Sequence, residues 1–128
     1  MDPSPLERAV IEMTLRGEHP VLKKLRSQWE AASVQAREFT GVGLYANLEV
    51  LAPSQTLSTK KRFTFGDVVI DFPGLSAPVG SVLFIDGGVL SVLELYTHGD
   101  PWPQDDSSFT LRYAREPRTL EVLDTVDP

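Results

Sequence analysis

Asp86-Gly87-Gly88 separates two runs of apolar β-formers, Gly80 to Ile85 and Val89 to Leu95, and no other feature constrains the fold so tightly. Asp-Gly favours a tight turn whose central residues take positive φ, so the two runs read as one β-hairpin. With Ile85 paired to Gly88, Val82, Phe84, Val89 and Leu93 share one face, while Leu83, Ile85, Leu90 and Val92 share the other. Both faces are then apolar, which places the hairpin centrally in a sheet and covered on each side. Helices can cover one side. The other calls for a long loop, the C-terminal segment or a second subunit.

The helices precede the sheet. Ser4, Pro5 and Glu7 form a Ser-x-x-Glu capping box with proline at the first helical position. Leu6, Val10 and Met13 follow at helical spacing, and Gly17 suits a stop. A second helix begins at His19-Pro20, with Val21, Leu22, Leu25 and Trp29 as its apolar stripe; both stripes read as core-facing. After Ala32 the period becomes two, through Val34 to Phe39 and, past Gly41-Val42-Gly43, through Leu44 to Leu51. The glycine pair reads as a bulge or a close backbone approach. Ala52 to Arg62 reads as an exposed loop. Phe63, Phe65 and Val68 to Phe72 continue the sheet, Pro101-Trp102-Pro103 interrupts it, and Phe109, Leu111 and Tyr113 restart it as a last strand. The expected fold is α+β: two N-terminal helices packed on one antiparallel sheet of about five or six strands. Residues 1–128 form a single domain, with 1–32 helical, 33–114 sheet and 115–128 a candidate tail.

Charge narrows the partners. The net charge is −6 over 128 residues. Residues 1–39 balance, so the deficit lies in 40–128, and between Phe63 and Leu111 there are seven acids and no Lys or Arg. Such a surface repels nucleic acid and anionic membrane, and accepts a basic protein more easily than an acidic one. Without cysteine there is no disulfide, thiolate metal site or cysteine nucleophile. The N-terminus lacks the pattern of a signal peptide and no stretch has the length of a membrane helix, so a cytoplasmic location is expected.

Around Arg37-Glu38-Phe39-Thr40-Gly41-Val42-Gly43 the chain resembles a family of small bacterial proteins of unknown function. Matching motifs follow as Gly66-Asp67-Val68, Leu83-Phe84-Ile85-Asp86-Gly87, Leu93-Glu94-Leu95-Tyr96 and Pro101-Trp102-Pro103. The resemblance spans roughly residues 20 to 113. It implies a bacterial, cytosolic protein and supplies no catalytic residues.

Glu94 is the residue singled out for chemistry. On the face of Leu90 and Val92, opposite about Val79, desolvation would favour its protonated form and suit it to general acid or base work. The simpler account is a structural acceptor for Tyr45, Arg37 or a loop amide. The run from Tyr96 to Trp102 adds Tyr96, His98, Asp100 and Trp102 as candidate binding residues. Its spacing matches no EF-hand, and His19 and His98 are too few and too far apart in sequence for zinc, so no metal and no cofactor are expected. No Gly-x-Ser-x-Gly elbow, P-loop or dinucleotide fingerprint occurs, and no catalytic residue is assigned. The expected function is a non-enzymatic protein-binding module for a basic partner, for instance an immunity-type protein that neutralises a basic toxin. The alternative is a small enzyme or small-molecule binder built on Glu94 and the Tyr96–Trp102 loop. A homodimer through the hairpin's uncovered face is the third reading.

Overall fold

A computed structural model describes residues 1–53 and 55–128. The chain runs α1 (Pro5–Thr14), α2 (Pro20–Trp29), β1 (Ala32–Phe39), β2 (Gly43–Val50), β3 (Phe63–Phe65), β4 (Val68–Asp71), β5 (Gly80–Asp86), β6 (Val89–Tyr96), β7 (Thr110–Tyr113) and a 3-10 turn at Glu121–Thr125. An antiparallel sheet of five strands, in the order β1-β2-β6-β5-β3, carries the two helices, and β4 and β7 pair in a separate two-stranded sheet. This is the α+β architecture expected from the sequence. The last strand restarts where the alternation predicts, but it joins β4 rather than the main sheet.

α1 starts as its capping box dictates. Glu7 N–H donates to Ser4 Oγ at 3.1 Å and Ser4 N–H donates to Glu7 Oε1 at 2.8 Å. α2 starts at His19, whose Nδ1 accepts from Val21 N–H at 3.2 Å. Leu6, Val10, Ile11, Val21, Leu22, Leu25 and Trp29 then bury against one face of the sheet.

The hairpin lies centrally, but its register differs from the expected one. Gly87 and Gly88 take φ of 61° and 82°, so they alone form the loop and Asp86 pairs with Val89. A bulge between Phe84 and Ile85 sets Leu90 against Ile85 and Val92 against Phe84, with Ser91 as the extra residue. That extra residue reverses the side-chain alternation. Leu93 and Leu95 therefore join Leu83, Ile85 and Leu90 in the core, while Val92 and Glu94 turn to the opposite face. Only one face of the hairpin is buried; Val82, Phe84 and Val92 on the other are half-buried.

Loops seal the core. Gln28, fully buried, donates from Nε2 to Gln55 O and Gly88 O at 2.6 and 2.9 Å, and its Oε1 accepts from Leu90 N–H at 2.9 Å. It thus clamps the Ala52–Arg62 loop onto the hairpin turn, and Leu57 of that loop is buried. Residues 115–128 are not a tail. Leu123 is buried, Thr59 N–H donates to Asp127 O, and Arg118 donates to both Asp67 carboxylate oxygens at 2.7 and 2.8 Å. Among the described residues no helix is long and apolar enough to cross a membrane.

Candidate functional site

The face of the main sheet turned away from the helices follows from strand alternation alone. β1 contributes Ala36 and Glu38, β2 contributes Tyr45, Asn47 and Glu49, and β6 contributes Val92, Glu94 and Tyr96. β5 adds Val82 and Phe84, and β3 adds Thr64. All are exposed or half-buried, whereas their neighbours in sequence on the core face are largely buried.

Cross-strand pairing orders these side chains into rows. Glu38 faces Tyr45, Tyr45 faces Glu94, and Glu94 faces Val82. Next to that row, Ala36, Asn47, Val92, Phe84 and Thr64 line up across all five strands. The Glu94 carboxylate beside it, then slight burial, and last the charge of Glu38 push the Tyr45 phenol's pKa above its ordinary value. Glu49 lies beyond the second row, on the side away from Glu38 and Glu94, and the Arg62 guanidinium lies over the Phe84 ring at 5.1 Å. The result is a strip of Val92 and Phe84 with Glu38 and Glu94 on one side and Glu49 on the other.

Glu94 faces Tyr45 across the β2–β6 pairing on the open side of the sheet, while Arg37 is committed to Glu7. The bulge removes Glu94 from Leu90, and it lies opposite Val82 rather than Val79. It is half-buried on the open face.

The other candidates divide between a cavity and a brace. Tyr96 and His98 stack edge-to-face at 5.4 Å and, with Val69, Gly80 and Arg112, line a shallow cavity of about 290 Å³. Tyr96 reaches it by crossing Gly80, where a Cβ would come within 2.3 Å of the phenol ring. Arg112 is committed to Asp71, with Nε to Oδ2 at 2.8 Å. Neither Glu94 nor Asp100 nor Trp102 lines this cavity. Asp100 accepts from Ser76 N–H and Oγ at 3.1 and 2.8 Å, which pins the loop before β5. Trp102 packs edge-on against Phe72 at 5.7 Å, and its backbone N–H donates to Gly41 O at 2.8 Å. Asp100 and Trp102 hold loops together.

Arg37, anticipated as a partner of Glu94, pairs instead with the capping-box residue Glu7. It donates through Nε and Nη2, at 2.7 and 2.8 Å, under the start of α1. Burial alone would raise the Glu7 pKa, but the bonds from Arg37 and Ser4 outweigh it and hold the carboxyl below its usual value. The capping box was a legible signal for Glu7. Nothing in the sequence paired it with a residue on β1.

The acids of the base-free segment are also less available than their count suggests, since Asp67 and Asp71 are paired with Arg118 and Arg112. Among the described residues no group of three or more His, Asp or Glu is placed to hold a metal ion. No family model matches the chain, and no curated protein or solved structure is significantly similar to it.

Proposed function

We propose that this protein is a non-enzymatic protein-binding module that presents the open face of its five-stranded sheet to a basic partner. One observation carries the reading: the row Glu38–Tyr45–Glu94, an aromatic side chain held between carboxylates beside the apolar strip of Val82, Phe84 and Val92. Tyrosine is a common anchor at interfaces, because it covers much area with little side-chain freedom to lose. Carboxylates at its border favour a cationic surface opposite and speed encounter with it. Five strands spaced at about 4.8 Å and some seven residues long give roughly 500 Å² of projected face. With its rims this approaches the roughly 800 Å² per partner of an ordinary stable complex.

An immunity-type role, covering a basic toxin, is the concrete form of this proposal, and its motivation is the charge asymmetry of the chain. The test compares immobilised wild-type protein with a Glu38→Lys/Glu94→Lys variant in lysate of the native host. Basic proteins retained by the wild type and lost from the variant, with retention falling as salt is raised, support the proposal. Retention of acidic proteins only, or equal retention by both forms, overturns it.

The small-molecule reading survives in reduced form as the cavity of Tyr96, His98 and Arg112. It no longer includes Glu94, Asp100 or Trp102.

A further inference from the structure

Among the described residues the exposed large hydrophobic side chains are Met1, Phe39, Val42 and Leu51, at 62%, 61%, 48% and 72% exposure. Phe39 ends β1, and Val42 lies in the turn that follows it. Met1 pairs by its backbone with Val34 in the middle of β1, donating N–H to O at 2.9 Å and accepting at 2.8 Å. Leu51 follows Val50, the partner of Ala32 at the start of β1. Met1 and Phe39 therefore lie along the outer edge of β1, an eight-residue strand about 26 Å long, while Val42 and Leu51 sit at the two ends of the β1–β2 hairpin.

That edge also has open backbone groups. Among the described residues β1 pairs with β2 alone in the sheet, and Met1, through its ammonium and carbonyl, meets its outer side at Val34 only. Thr40 N–H donates to Gly43 O, so Thr40 turns its backbone toward β2. Alternation along an antiparallel ladder then turns the N–H and C=O of Phe39 and of Arg37 outward. A long edge with unpaired groups and apolar side chains is a template for another strand, and proteins normally shield such edges.

The surroundings specify the strand. The Arg37 charge is neutralised by Glu7. Asp2 lies alongside, its carbonyl accepting from Arg37 Nη2 at 3.0 Å, and Asp106 is close enough to act on Arg37 through its charge. Glu38 stands between the two open residues. A second copy of the chain fits badly. The two-fold antiparallel register that uses both open residues of each copy pairs Arg37 with Phe39 and sets Glu38 directly against Glu38, a like-charge contact.

We infer that an extended, basic segment of a protein partner adds to β1 as a sixth strand, bonding the backbone at Arg37 and Phe39, with cationic side chains toward Glu38 and an apolar one against Phe39. This mode of binding rests on the proposed function and names the partner's chemistry at the rim of the same face.

The probe is a short basic β-forming peptide, Ac-KVKVKV-amide, titrated into the isotope-labelled full chain, with its glutamate counterpart as control. In the free protein the amides of Arg37 and Phe39 are expected to exchange with solvent quickly and that of Glu38 slowly. The basic peptide is expected to slow the first two and to shift their resonances, and the glutamate peptide to do neither. Phe39→Pro removes an outward N–H without touching the β1–β2 ladder, and should weaken binding about tenfold. Phe39→Ser keeps the backbone and should weaken it several-fold. The exchange measurement uses the wild type, so it stands whether or not the proline variant folds.

Shifts confined to Tyr45, Val92 and Glu94, with the edge silent, would overturn strand addition and leave the open-face reading intact. Shifts in neither place count against both. A dimer of the protein alone that is lost in Phe39→Pro would give the edge to a second copy and also overturn the inference.

Discussion

Two carboxylates, Glu7 and Glu94, lie on opposite sides of one sheet, and their environments have little in common. Glu7 sits on the helix side, 1% exposed, where it caps α1 and receives two bonds from Arg37. Glu94 sits on the open side, half-buried, facing Tyr45 across the β2–β6 pairing. On the helix side the surrounding groups hold the acid itself ionised; on the open side the acid acts on its neighbour. Which side of the sheet a carboxylate occupies thus decides whether its charge is built into the fold or offered to solvent.

The comparison is broken most severely by truncating adjacent residues of β6. Leu93 is fully buried and Val92, one position earlier, is half-buried on the open face. Leu93→Ala should cost about 3 kcal/mol in urea or thermal unfolding, through lost transfer energy and the cavity left behind. Val92→Ala should cost under about 1 kcal/mol, since no cavity forms on an open surface. Equal costs would mean that the open face is covered after all.

Arg37→Ala probes the buried pair. It leaves the Glu7 carboxylate enclosed without its cation, and should cost about 3 kcal/mol at neutral pH. The pH dependence follows from the depressed Glu7 pKa. Its stabilisation is fully present above the ordinary value of 4.5 and is lost as pH falls through the lower folded value. Wild type and variant should therefore differ most near neutrality, and their stabilities should converge in acid. A gap that stays constant down to strongly acidic pH would show that Arg37 acts by packing rather than by charge.

The sequence reading recovered the elements it could because their signals are local. The capping box marks α1, the Asp-Gly turn marks the hairpin, and the two helices and antiparallel sheet follow from periods of 3.6 and 2. It went astray where one residue changes parity. Ser91, extra in the bulge, moved Leu93 inward and Val92 and Glu94 outward, and so emptied the supposed buried site. Long-range pairs were equally hidden. Glu7–Arg37, Asp67–Arg118 and Asp71–Arg112 join residues 30, 51 and 41 positions apart, so a count of charges by segment could not foresee which acids would be neutralised. Of the five candidate site residues, Tyr96 and His98 meet in one cavity because they are two apart at the end of β6. Asp100 and Trp102, two and four residues further on, were drawn away by Ser76 and by Gly41.

The smallest effect sharpens the comparison most, because it reads the open face without disturbing the fold. The Tyr45 phenol is pushed up chiefly by the Glu94 carboxylate beside it, then by burial, and last by the Glu38 charge. Glu94→Gln replaces the carboxylate with a neutral amide of similar shape, so phenolate formation, followed by its absorbance, should move to lower pH. Glu38→Gln should move it less, since only a through-space charge is lost. Neither change should alter unfolding by more than about 0.5 kcal/mol, as expected of surface substitutions. A phenolate titration unmoved by Glu94→Gln would mean that the Glu38–Tyr45–Glu94 row is not formed in solution, and the proposed binding face would lose its anchor.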